Sequence, residues 1–204
     1  MDLLTSFAQD FAPEQRTVPE LLRRQAQRHG DRPLFVAGEV RWSFAQALDQ
    51  AQAYGAVLQR AGLRTGDRVA LLCSNRAEFM QVLLGCAWIG AVAVPINPMN
   101  RTDELRHAAQ DSGARAAFVA QELLPHLLPV LDDADTPLQH LVVATYSDYL
   151  QQPTDLPVPD FVRAPAQPLT HPNTQAWADV LAAQRAPGPH TAGPDDLCVM
   201  PYTS

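Results

Sequence analysis

The chain has 204 residues, 47% of them apolar, and a formal net charge of −7. That length can bury roughly 70% of the unfolded surface in a real core, and the acidic balance argues against nucleic acid or an anionic membrane as a main partner. All 15 basic residues are arginines, which excludes Schiff-base chemistry and any lysine-dependent phosphate loop within these residues.

The elements follow in order. Thr17 to His29 reads as a first helix, with Thr17 as cap, Glu20 completing a capping box and Pro19 in the first turn. Pro33 to Ala37 and Val40 to Ser43 read as a hairpin around Gly38-Glu39. Ser43, with Gln46 three residues on, opens a long helix whose stripe is Phe44, Leu48, Ala51, Gly55, Leu58 and Ala61, and Gly62 ends it. Arg68 to Cys73 is an apolar strand. Ser74 or Asn75 starts the next helix, Gly90 stops it, and Ala91 to Ile96 is another apolar strand. Two apolar strands joined by a helix predict parallel pairing sheltered on both faces. A second round follows: helix Thr102 to Ser112, strand Arg115 to Ala120, helix Gln121 to Val130 ended by Pro129, and strand His140 to Ala144. The alternation predicts a layered αβα fold around a mostly parallel sheet.

From Pro153 to Pro194 the texture changes, because half of the 18 prolines fall there. This 153–194 stretch is expected to be irregular surface chain rather than a domain linker, with one short helix near Gln175 to Ala183. Leu197 to Tyr202 reads as a strand returning to the sheet. Cys73, Cys86 and Cys198 are widely spaced and odd in number, so neither a disulfide framework nor a zinc site is expected. Met1 to Leu4 lacks a basic start and a long apolar core, so no signal peptide is read there. The apolar run Val82 to Ile96 is too short to span a bilayer. A reducing cytoplasm fits these features.

Several residues invite chemistry. Cys73-Ser74-Asn75 sits between a strand and a helix start, where Cys73 could have a lowered pKa. Ser74 there resembles a nucleophile elbow without its flanking glycines, and a hydrolase would use it. The competing reading makes Cys73 a core residue and Ser74 or Asn75 a helix cap. The histidines His29, His107, His126, His140, His171 and His190 show no ligand spacing. Asp132, Asp133 and Asp135, and Asp195 with Asp196, lack the glycine of a calcium loop. Asn97-Pro98-Met99-Asn100 follows a strand end, where such sheets carry ligands, but it also suits a capping turn built on Asn100 and Asp103. These residues thus assign no catalytic group and no metal site.

Three stretches carry a family likeness. Gly66-Asp67-Arg68-Val69-Ala70-Leu71-Leu72 leads to Asn75-Arg76-Ala77-Glu78-Phe79. Gly85-Cys86-Ala87-Trp88-Ile89-Gly90-Ala91-Val92-Ala93-Val94-Pro95-Ile96-Asn97-Pro98 is the second, and Asp195-Asp196-Leu197 through Thr203-Ser204 the third. In order and spacing they resemble the N-terminal third of AMP-forming acyl-CoA synthetases, of the adenylate-forming superfamily. The region from Tyr146 to Pro165 is most similar to fatty-acid–CoA ligases. The resemblance implies that a carboxylic acid and ATP give an acyl-adenylate and pyrophosphate, and that CoA then takes the acyl group, with Mg²⁺ assisting. It maps Thr203 and Ser204 onto the start of the loop Thr-Ser-Gly-Thr-Thr-Gly-x-Pro-Lys-Gly, which holds ATP phosphates. On that basis residues 1–204 are expected to be an N-terminal fragment of an adenylating domain. The fragment should be inactive alone, bind no cofactor tightly and contain no transmembrane segment within residues 1–204, and it could form a homo-oligomer, while the parent uses a carboxylic acid, ATP and CoA. A stand-alone module that binds a partner or small acyl ligand is the alternative.

Overall fold

The computed structural model describes residues 12–37, 40–74, 76–150, 157–183 and 188–202. Helix α1 is Val18–His29, and the Thr17 hydroxyl accepts from the Glu20 N–H at 3.3 Å. The reciprocal half of the expected capping box is missing. The Glu20 carboxylate turns instead to Arg23, at 2.9 and 2.7 Å, and to Arg24 at 3.0 Å, because two charged donors outcompete one backbone N–H. Strands β1 (Pro33–Ala37) and β2 (Val40–Ser43) pair antiparallel; the Gly38-Glu39 turn lies outside the described residues. Helix α2 (Phe44–Arg60) has the full box: Gln46 N–H donates to the Ser43 hydroxyl at 3.2 Å, and Ser43 N–H to the Gln46 side chain at 2.9 Å. Gly62 follows its end with φ +79°.

The main sheet holds β3 (Arg68–Leu72), β4 (Val92–Pro95), β5 (Ala114–Ala120), β6 (His140–Ala144) and β7 (Thr174–Ala176), ordered β4-β3-β5-β6-β7 with every pair parallel. Helix α3 (Ala77–Trp88) connects β3 to β4, α4 (Thr102–Ser112) connects β4 to β5, and α5 (Leu124–Leu131) precedes β6. The chain enters the sheet at β3, next to one edge, moves one way to β4, then the other way to β5 and β6. Right-handed crossovers in opposite directions must place their helices on opposite faces. The cores show this. Val69, Leu71, Ala93 and Phe118 pack with Tyr54 and Leu58 of α2 and Val82 and Cys86 of α3. Ala70, Leu72, Val94 and Val119 pack with Leu105 and Ala108 of α4 and Leu127 and Val130 of α5. Alternate residues of one strand serve two cores, so the strands read as unbroken apolar runs.

The described part of the proline-rich stretch, residues 157–183 and 188–194, holds more regular structure than its composition suggests. It contains the short helix α6 (Asp160–Arg163), β7, and α7 (Trp177–Ala182). The edge strand β7 was not legible, being three residues without an apolar pattern. Trp177 is 2% exposed; its ring meets Phe118 edge-on at 5.2 Å and Tyr54 at 5.2 Å, a burial worth roughly 1.5–3 kcal/mol. Gln121 ties the stretch to the sheet, donating to Pro165 O at 3.0 Å and accepting from Gln167 N–H at 2.7 Å. Two boundaries also differ from expectation. Residues Gln121–Leu123 form a 3₁₀ turn before α5, and Pro129 lies inside α5 instead of ending it.

The expected strand from Leu197 to Tyr202 is a single parallel bridge beside β4. Ala93 N–H donates to Cys198 O at 2.9 Å, and Met200 N–H to Ala93 O at 2.8 Å. The next rung would need a donor at Pro95, which has none, so the ladder stops.

Candidate functional site

In an open α/β sheet, ligands bind outside the carboxyl ends of the strands, at the point where strand order reverses. Here that point lies between β3 and β5, and the residues leaving β3, β5 and β6 meet beside it.

Cys73 and Ser74 leave β3. Helix α3 begins at Ala77 with Arg76 at its N-cap and no side-chain capping bond. Ser74 therefore does not cap it, and Asn75 lies outside the described residues. Cys73 is buried, and that burial pushes its thiol up to about 12. This bears out Cys73 as a core residue and removes the alternative of a lowered pKa, since the apolar surroundings outweigh the nearby Arg76 charge. The Ser74 hydroxyl bonds the Tyr146 phenol, not a histidine, so its recorded partner is no general base.

Arg76 and Glu78 are the centre of this crevice. Their side chains are 4% and 1% exposed. Arg76 Nε donates to Glu78 Oε2 at 3.0 Å, and Nη2 donates to Oε1. The guanidinium stacks on Tyr146, 3.7 Å from the ring centroid, and its Nη1 is buried with no partner among the described residues. Burial raises the Glu78 carboxyl and Arg76 opposes that rise. Glu122, leaving β5, is likewise raised by burial. The charges cancel in place, so the cluster braces the strand ends and offers one spare donor.

The turn after β4 forms a second crevice. Asn97 Oδ1 accepts from Met99 N–H at 3.0 Å. Arg101 caps α4, its N–H donating to Glu104 at 2.7 Å, so the expected partners Asn100 and Asp103 give way to Arg101 and Glu104. A cavity of about 500 Å³ opens there, lined by Asn97, Asn100, Asp103, Glu104, His107 and Tyr202. That is a ligand-sized volume, but its carboxylates repel phosphate. Thr203 and Ser204 follow Tyr202 directly and lie outside the described residues. A larger crevice of about 660 Å³, with Arg60, His140 and Asn173 in its wall, sits at the amino ends of the strands, opposite the edge that topology favours.

The remaining candidates have structural roles. His171 contacts Asp132 at 3.1 Å, His126 meets Arg101 at 2.6 Å, and His190 packs on Trp88 at 5.8 Å. Asp133 pairs with Arg106 at 3.0 Å, and Asp196 accepts from Gly193 N–H at 2.7 Å. Among the described residues no group of three His, Cys, Asp or Glu comes together to hold a metal, and no helix is long and apolar enough to cross a membrane. Sequence reasoning missed Arg76, Glu78, Gln121 and Tyr146 as a unit. The available signal was a charged pair at the start of an otherwise apolar helix.

Comparison with known proteins supplies the relatives. The AMP-binding enzyme family matches residues 22–204. A long-chain-fatty-acid–CoA ligase of Salmonella typhimurium is 34% identical over 137 residues, covering 66% of this chain and 24% of the ligase. A fatty acyl CoA synthetase of Mycobacterium tuberculosis superposes with TM-score 0.70 at 27% identity, over 93% of this chain and 33% of that one. The anthranilate CoA ligase AuaEII, solved with anthranoyl-AMP, superposes with TM-score 0.77 at 22% identity, over 97% of this chain and 34% of that one. The chain thus spans about a quarter of the length of the curated ligase it matches.

Proposed function

The chain belongs to the AMP-binding enzyme family, and from that premise we propose that it is the amino-terminal part of an acid–CoA ligase acting on a fatty acid. The reaction joins the carboxylate to the α-phosphorus of ATP, releasing pyrophosphate, and the CoA thiolate then displaces AMP to give the thioester. The observation that carries this reading is the likeness to long-chain-fatty-acid–CoA ligases across two thirds of the chain, supported by a TM-score of 0.70 with a fatty acyl CoA synthetase.

Within this reading, residues 1–204 build one layered half of the adenylating domain and one wall of its cleft. Thr203 and Ser204 begin the loop that holds the ATP phosphates. Mg²⁺ accompanies ATP in such ligases, held by one or two carboxylates together with the phosphates. The 204-residue chain alone is expected to turn nothing over. Pyrophosphate release, with ATP, CoA and acids of increasing chain length, tests this on the 204-residue chain and on the longer reading frame. Release by the longer protein alone, strongest with long acids, is expected. Turnover by the 204-residue chain overturns the inactive assignment, and preference for an aromatic acid overturns the fatty-acid assignment.

A further inference from the structure

We propose that Asp111 is a positioning residue, which through the Tyr202 hydroxyl fixes the point where the chain leaves the sheet for the phosphate-holding loop. The inference rests on the assignment of Thr203 and Ser204 above.

The backbone holds this segment well only at its start. Ala93 bonds Cys198 and Met200 at 2.9 and 2.8 Å, but Tyr202 N–H reaches Pro95 O only at 3.5 Å. Pro95 lacks the N–H that the next rung would need, so the ladder weakens there. Where the ladder fades, side chains take over. Met200 and Tyr202 pack against the α4 side of the core, and Tyr202 Oη donates to Asp111 Oδ2, near the end of α4, 91 residues earlier in the chain. Burial and Asp111 together lift the Tyr202 phenol to about 12, so it stays a donor at neutral pH. A hydrogen bond to a carboxylate is about twice as strong as a neutral one. It is made by the residue adjoining Thr203, where a displacement of about 1 Å can cost on the order of 100-fold in rate.

Hydrogen exchange on the 204-residue chain tests the clamp directly. Tyr202→Phe and Asp111→Ala are expected to speed exchange at the Met200 and Tyr202 amides about 10-fold, and Asp111→Asn, which keeps an acceptor oxygen, less than ~3-fold, all within the energy of a charge-assisted bond. In the longer ligase, the first two variants should raise KM for ATP or lower kcat by about 10-fold, leave KM for the acid unchanged, and combine without adding. Unchanged exchange overturns the clamp. Changed exchange with unchanged ATP kinetics, in a wild type that forms adenylate, overturns its positioning role. A wild type that forms no adenylate overturns the ligase reading instead, and the exchange result still decides the clamp.

Discussion

The two edges of the parallel sheet are closed by different means. At the amino edge, where helices return to strands, backbone conformation does the work. Gly62, Gly66, Gly90 and Gly113 all have positive φ, between 64° and 83°, and every one lies in a helix-to-strand connection. At the carboxyl edge no described residue has positive φ. There, buried polar side chains close the connections: the Arg76–Glu78 pair, Gln121 with Thr145 at 3.2 Å, and Tyr146 under Arg76. An edge shaped by glycine is fixed by the local sequence. An edge shaped by side chains from distant segments can change its chemistry without changing the fold, which suits the edge that carries function.

The largest test of this contrast is at the carboxyl edge. Arg76→Met leaves Glu78 buried without its counter-charge and is expected to lose about 3–5 kcal/mol in urea unfolding. Glu78, already raised by burial above its ordinary 4.5, then favours its protonated form further, so the deficit grows as pH rises past the range in which the wild-type Glu78 titrates. Combining Arg76→Met with Glu78→Leu should restore most of the loss; a double variant as weak as the single contradicts this. Next comes the amino edge. A Cβ at Gly90 would lie 2.9 Å from Thr65 Oγ1, whereas Gly62 has open space within 4 Å. Gly90→Ala should therefore cost about 2–3 kcal/mol and Gly62→Ala about 1, the latter from backbone strain alone. Equal costs would show that crowding contributes nothing. Ser43→Ala removes a capping bond remote from both edges and should lower stability by about 1 kcal/mol; a matching loss in Gln46→Ala would assign it to the box. The smallest effect is at Glu20, the more exposed counterpart of the Arg76–Glu78 pair. Hydrogen bonding from Arg23, against opposing burial, lowers its carboxyl from 4.5 to about 2. Its contribution is complete above pH 4.5 and disappears as pH falls toward 2, by less than about 1 kcal/mol because its main partner Arg23 is 44% exposed. Acid titration of Glu20→Gln should lack that component.

The amino edge was legible for the same reason that it is local. Gly62 and Gly90 mark helix ends in the sequence, and the apolar runs around Val69 and Val94 announce a sheltered parallel sheet. The carboxyl edge was not. Arg76, Gln121 and Tyr146 are far apart in sequence, and nothing local says that Tyr146 lies beneath a guanidinium. Cys73 left two readings open, a core residue or an acidified thiol beside a helix start, and the packing around it decides for the core. The strand β7 escaped for a related reason, because its pairing with Leu141 and Val143 is set by the sheet rather than by its own side chains.

The bridge at Ala93 also sets a clock for biosynthesis. β4 is complete when Pro95 leaves the ribosome, but the segment that covers its outer edge arrives with Cys198, roughly 100 residues or about 5–20 s later. For that interval the nascent chain presents the unpaired edge of an apolar strand, the template on which misassembly begins. Ribosome-bound chains halted before Cys198 should therefore recruit chaperones that chains halted after Tyr202 release.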